Sequence, residues 1–86
     1  MKRRELKILV KELAHEYEQK PYDYWASIKL PLVYEKVYKD EVVYVEISHL
    51  SSDPRMDEYM IDVYQGGFSS YFPVGYNIVV PKQKKD

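Results

Sequence analysis

The hydrophobic pattern of residues 3–19 predicts an amphipathic helix. At 100° per residue its apolar side chains fall on one stripe roughly 140° wide, which comprises Leu6, Leu9, Val10, Leu13, Ala14 and Tyr17. Ile8 is the one apolar residue off this stripe. Pro21 ends the helix, because a proline forces the residue before it out of the α region. A helix of this length is marginal alone, so its stripe must pack on another element.

The rest of the chain predicts strands rather than further helices. Residues 21–25 are interpreted as an aromatic connecting loop, with Trp25 closing one end of the core. Strands are expected at residues 28–38, 42–50, 59–65, 68–72 and 76–80, and Pro31 marks the first as an edge or bulged strand. The predicted fold is α+β, with one N-terminal helix packed on a four- to five-stranded antiparallel meander sheet in the order α-β-β-β-β(-β). We expect a single domain over residues 1–86, with residues 82–86 forming a disordered basic tail.

Gly66 and Gly67 predict a two-residue hairpin, since both central residues of a type I′ turn need positive φ. This turn fixes the register of the strands beside it. One face then carries Ile61, Val63, Phe68 and Phe72, and the other carries Met60, Asp62, Tyr64 and Tyr71. The earlier hairpin, at residues 39–41, leaves two registers open. A three-residue loop would pair Val37 with a residue on one face of the sheet, whereas a loop of two or four residues would pair it with a residue on the other face. Tyr34, Tyr38 and Tyr44 therefore have no assigned face.

Composition narrows the function classes. The 86 residues include no cysteine and no apolar run long enough to span a bilayer, so we expect a cytoplasmic protein without disulfides or cysteine-bound zinc. The net charge is −1, with 13 basic and 14 acidic residues. A general nucleic-acid binder normally carries a basic excess, so nucleic acid is an unlikely partner.

No motif indicates catalysis. His49 precedes Asp53 and Asp57, and a histidine with two carboxylates is a conceivable metal site, but the spacing matches no known motif. The serines lie in no nucleophile elbow, and the carboxylates around Asp62 are interpreted as a solvated acidic patch. We therefore predict no catalytic residue, no cofactor and no metal.

The most unusual feature of the composition is the presence of 10 tyrosines. Tyrosine offers a large contact area with few rotatable bonds and is common at protein interfaces. One helix covers only one face of a sheet, so the other face must be wet or must meet another molecule. The candidate interface residues are Tyr22, Tyr24, Met60, Tyr64 and Tyr71.

These features favour a small non-catalytic protein-binding module of the inhibitor, immunity or antitoxin-like, or accessory-subunit kind. Its partner would be another protein or a second copy of itself in a homodimer. One alternative is a nucleic-acid binder that uses the sheet aromatics and the terminal lysines. Another is a small enzyme or ligand-binding cup.

Overall fold

The computed structural model describes residues 1–66 and 73–82. The fold is α+β, as predicted: two N-terminal helices precede a four-stranded antiparallel sheet whose strand order is β1-β2-β3-β4, a simple meander. The elements are α1 (Arg3–Glu18), α2 (Tyr22–Ser27), β1 (Leu32–Tyr38), β2 (Glu41–Ser52), β3 (Met56–Tyr64) and β4 (Val74–Pro81).

The long helix α1 lies across β3 and β4 and buries the predicted stripe. Its buried residues are Leu6, Leu9, Val10, Leu13 and Ala14, and Tyr17 is half-buried at its C-terminal end. Ile8, off the stripe, is 50% exposed. The helix is therefore stabilised mainly by packing on the sheet, as expected for an element of this length.

The N-terminus of α1 is held against the β1–β2 turn. The N-terminal ammonium group lies 3.3 Å from Glu41 Oε1, and Lys39 Nζ lies 3.5 Å from Glu5 Oε2. Glu5 also accepts a hydrogen bond from the backbone N–H of Lys2 at 3.4 Å. That hydrogen bond, with the positive charge of Lys39, lowers the pKa of the Glu5 carboxyl.

The connector after α1 is a short helix, which corrects the prediction of a loop at residues 21–25. Residues Tyr22–Ser27 form α2, with Pro21 as the preceding cap residue. Six residues are too few to display a helical period, and their helix propensity is modest. Burial of Trp25, which is only 4% exposed, provides the tertiary contact that a propensity argument lacks.

The β1–β2 hairpin resolves the register that the sequence left open. Strand β1 begins after Pro31 and pairs Val37 with Val42 and Tyr38 with Glu41. The turn consists of Lys39 and Asp40, whose φ angles are 50° and 63°. Two successive residues with positive φ are the geometry of a type I′ turn.

The β2–β3 hairpin turns at Asp53. Its carboxylate accepts hydrogen bonds from the backbone N–H groups of Arg55 at 2.7 Å and Met56 at 2.9 Å, a local bond typical of aspartate in turns. The pairing shifts between His49 and Ser51, where β2 carries a bulge. This one-residue shift reverses the face of the residues beyond it.

The last described strand, β4, pairs with β3 and is longer than the predicted 76–80 segment. Ile61 faces Tyr76 and Val63 faces Val74. The predicted faces of β3 are confirmed, because Ile61 and Val63 are buried under α1 and Asp62 between them is not. The predicted strand 68–72 lies outside the described residues, as does Gly67 of the predicted Gly66–Gly67 turn.

Lys82 follows β4 directly. Its backbone N–H donates to the Arg55 carbonyl at 2.8 Å, and its ammonium group lies 3.8 Å from an Asp57 carboxylate oxygen. The remainder of the predicted basic tail lies outside the described residues. Neither α1 nor α2, the helices of the described part, is long and apolar enough to cross a membrane.

Candidate interface on the open face of the sheet

The sheet has one face under α1 and one face turned away from it, here called the outer face. Directly paired residues of an antiparallel sheet project to the same side, and successive residues alternate. The buried residues of β2 and β3 therefore place their neighbours on the outer face. Its apolar and aromatic residues include Val33, Val37, Val42, Tyr44, Met56, Met60, Tyr64 and Val79, and its acidic residues are Glu35, Glu46, Glu58 and Asp62.

Three exposed valines, here called the valine strip, lie along the β1 side of the outer face, with Glu35 between Val33 and Val37. Val37 is 70% exposed, and its partner across the hairpin, Val42, is about half exposed. Val33 lies on the same side of β1 and is also about half exposed. β-Branched side chains of this kind are held in few rotamers, so the strip is a preformed surface.

Two tyrosines continue this strip across the sheet. Tyr44 and Tyr64 are direct partners in β2 and β3, and their rings stack with centroids 5.6 Å apart and planes 23° apart. Both side chains are half-buried. The pair presents ring surface and two hydroxyl groups in a fixed arrangement, which is typical of protein contact surfaces.

Carboxylates occupy the middle of the outer face. Glu46 in β2 is directly opposite Asp62 in β3. Burial, together with the neighbouring Glu46 charge, raises the pKa of Asp62 above its ordinary value. Burial and the same glutamate also raise the pKa of the Tyr64 hydroxyl.

Gly75 provides the space that the Asp62 carboxylate occupies. It is the direct partner of Asp62 on β4, and a Cβ atom at this position would lie 2.7 Å from Asp62 Oδ1 and 3.1 Å from the Met60 sulfur. Any residue other than glycine would displace one of these side chains. A glycine inside a strand commonly marks such a close approach.

A second aromatic group lies on the opposite side of the sheet. The Trp25 ring stacks on Tyr59 at 4.3 Å, and Tyr24 meets it edge-on at 5.6 Å. Tyr17 packs beside Trp25, and its hydroxyl is 3.0 Å from the Tyr34 hydroxyl. Burial and this hydrogen bond raise the pKa of the Tyr17 hydroxyl, which therefore stays neutral. We interpret this second aromatic group as one end of the hydrophobic core.

The predicted interface residues do not form a single surface. Met60 and Tyr64 lie on the outer face, whereas Tyr22 and Tyr24 lie on α2, where the Tyr24 ring packs against Tyr17 and Trp25. Tyr71 lies outside the described residues. The sequence pattern assigned no face to Tyr44 and did not indicate the three valines of the strip. A two-residue turn at Lys39 and Asp40 would have placed them, because it fixes the register of β1 and β2.

The conceivable metal site is not assembled. His49 projects to the inner side, where its ring meets Tyr59 edge-on at 5.5 Å. Asp53 is used by its own turn, and Asp57 lies near Lys82. In the described part of the chain no group of three histidine or carboxylate side chains is arranged to hold a metal ion.

No protein-family model, curated protein or solved structure matches the chain. The outer face, with its exposed valines, stacked tyrosines and central carboxylates, is the surface whose chemistry can be argued from the structure itself.

Proposed function

We propose that this chain is a small non-catalytic protein-binding module that contacts its partner through the outer face. The observation that supports this proposal most strongly is the exposure of Val33, Val37 and Val42 on one face of a sheet whose other face carries the core and packs against α1. Exposed apolar side chains that lie together, next to stacked aromatic rings, are typical of surfaces that meet another molecule.

The rigidity of the outer face also supports a binding role. The valines lie on paired strands rather than on a loop, and the Tyr44 and Tyr64 rings are held against one another. A preformed surface loses little conformational entropy when it docks. Inhibitors, immunity or antitoxin-like proteins and accessory subunits all work by presenting such a surface to one partner, and we propose a role of this kind.

The proposal can be tested by removing the valine strip without disturbing the core. In the triple variant Val33→Thr/Val37→Thr/Val42→Thr every changed side chain is about half exposed or more, and threonine keeps the strand preference of valine. The matched control is Ile8→Gln, which removes an apolar side chain of similar exposure from the solvent side of α1.

Each tagged variant is used to capture proteins from an extract of the source cells, and captured proteins are identified by quantitative mass spectrometry. The captured protein that the wild type retains is then purified and titrated against the wild type, the triple variant and Ile8→Gln. We expect the triple variant to bind at least about tenfold more weakly, with Ile8→Gln unchanged. Equal binding by the triple variant and the wild type would contradict a role for the outer face.

The nucleic-acid alternative makes a different prediction. The carboxylates at the centre of the outer face would repel phosphates, so the protein should leave a polyanion column at low salt. Retention that falls steeply with rising salt would favour the alternative.

A further inference from the structure

If the outer face is the contact surface proposed above, its charge indicates what kind of protein it contacts. We propose that the partner presents a segment in which arginine or lysine side chains alternate with apolar ones, and that a second copy of this chain is not the partner on this face.

The charged residues that face outward are all acidic. The outward positions of β1 to β4 carry Glu35, Glu46, Glu58 and Asp62 and, among the described residues, no lysine or arginine. The chain as a whole is nearly balanced, with 13 basic and 14 acidic residues. Residues 67–72 contain no lysine, arginine, aspartate or glutamate, so their sequence adds no charge. Within residues 1–66 and 73–82, the single sign of the outer face is therefore a property of this surface rather than of the composition.

These four carboxylates have no basic partner within the described part of the chain. The three ion pairs formed among residues 1–66 and 73–82 use Glu5, Glu41 and Asp57 instead. Lys36, the basic residue of β1, pairs with Val43 and so projects to the inner side. A partner that brings cations to the outer face would find four carboxylates without a basic partner among the described residues, and arginine would engage them with the best geometry.

The spacing of the outward residues favours an extended segment. Along β1 the outward order is Val33, Glu35, Val37, and alternate residues of a strand lie about 6.6 Å apart. The same alternation of apolar and basic side chains in an extended partner would match valine with an apolar group and glutamate with a cation.

A second copy is disfavoured by the same charges. Two outer faces packed against each other would bring four carboxylates on one protomer against four on the other, and such like-charge contacts act against association. The sequence leaves two partners open, another protein and a second copy, and these like charges favour the first.

The test uses a display library of random twelve-residue peptides, selected against the immobilised wild-type protein at physiological salt. Two charge-matched variants accompany it. The outer-neutral variant is Glu35→Gln/Glu46→Gln/Asp62→Asn, and the helix-neutral variant is Glu12→Gln/Glu16→Gln/Glu18→Gln. Both remove three negative charges, but the second removes them from exposed positions of α1. Circular dichroism checks that both variants are folded.

We expect the selected peptides to be enriched in arginine and lysine over aspartate and glutamate. Their affinity should fall at least about tenfold for the outer-neutral variant and remain within about threefold for the helix-neutral variant. Equal loss of affinity in both variants, or none in either, would mean that the outer carboxylates do not select the partner and would overturn the inference.

The same selection separates this inference from the proposed function. Peptides without basic enrichment that still depend on the valine strip, as judged by the Val33→Thr/Val37→Thr/Val42→Thr variant, would overturn the inference and leave the proposed function standing. A selection that yields no peptide sensitive to either outer-face variant would overturn both.

Discussion

Glu46 and Asp62 are direct cross-strand partners on the outer face, two carboxylates opposed in adjacent strands with no basic side chain between them in the described residues. Like charges in this position weaken a sheet. A sequence optimised only for folding would place opposite charges there. The pair therefore fits a surface whose charge serves binding, at a small cost to the stability of the free protomer.

Replacement of Asp62 with asparagine should stabilise the protein at neutral pH. The substitution keeps the side-chain size and removes a charge that is disfavoured first by its burial and then by the repulsion from Glu46, and we expect a gain of about 0.5 kcal/mol in the free energy of unfolding. Urea unfolding at pH 7 measures this difference. The control is Glu12→Gln on the solvent side of α1, which should change stability by less than about 0.3 kcal/mol.

The gain from Asp62→Asn should also depend on pH. The pKa of Asp62 is raised in the folded state, so the folded protein binds the proton more tightly than the unfolded chain does. The contribution of Asp62 to stability consequently falls as pH rises from the unfolded pKa through the folded one. The advantage of the asparagine variant should be full at pH 7 and should shrink as the pH is lowered towards the ordinary aspartate pKa. An advantage that is independent of pH would show that the Asp62 charge is not disfavoured in the folded state.

Gly75→Ala should destabilise the wild type but not a variant without the Asp62 carboxylate. The added Cβ would lie 2.7 Å from Asp62 Oδ1, and we expect a cost of about 1 kcal/mol. In the Asp62→Ala background only the 3.1 Å approach to the flexible Met60 sulfur remains, and alanine should be close to neutral because it also reduces the entropy of the unfolded chain. A double-mutant cycle measured by urea unfolding gives the coupling. The same cost in both backgrounds would show that the carboxylate does not need this space.

Trp25 should report the integrity of the core end. It is the one tryptophan of the chain and is 4% exposed, so its native fluorescence should be blue-shifted and poorly quenched by acrylamide. Tyr59→Leu should reduce stability by about 1 kcal/mol, because it removes the ring that stacks on the indole. Tyr76→Leu, at a more exposed position of β4, is the control and should have a smaller effect. A red-shifted native emission would contradict the burial of Trp25.

The sequence predicted those elements whose hydrophobic residues repeat at a regular spacing over many residues or between clear boundaries. The stripe of α1 covers about three turns, so Leu6 and Leu13 could be placed on the same side of the helix. The alternation in β3 placed Ile61 and Asp62 on opposite faces of the sheet. Helix α2 was missed because six residues hold less than two turns, and the burial of Trp25 that stabilises it is a tertiary contact.

The outer face was only partly predictable. Met60 and Tyr64 follow from the alternation of β3, but the valine strip depends on whether two or three residues form the turn at Lys39. The opposition of Glu46 and Asp62 depends on the β2–β3 register, and nothing local in the sequence signals that register or the bulge after His49. Which charged residues face each other across two strands can therefore be determined only once the strand pairing is known.

The central claim, that the outer face is where a partner binds, is tested most directly by site-specific photo-crosslinking. A benzophenone amino acid is placed at Tyr64 on the outer face or at His15, exposed on α1, and each protein is irradiated in an extract of the source cells. We predict one dominant crosslinked protein from position 64, joined through a peptide that contains arginine or lysine, and none from position 15. Crosslinking of the same protein from position 15 alone would contradict the claim.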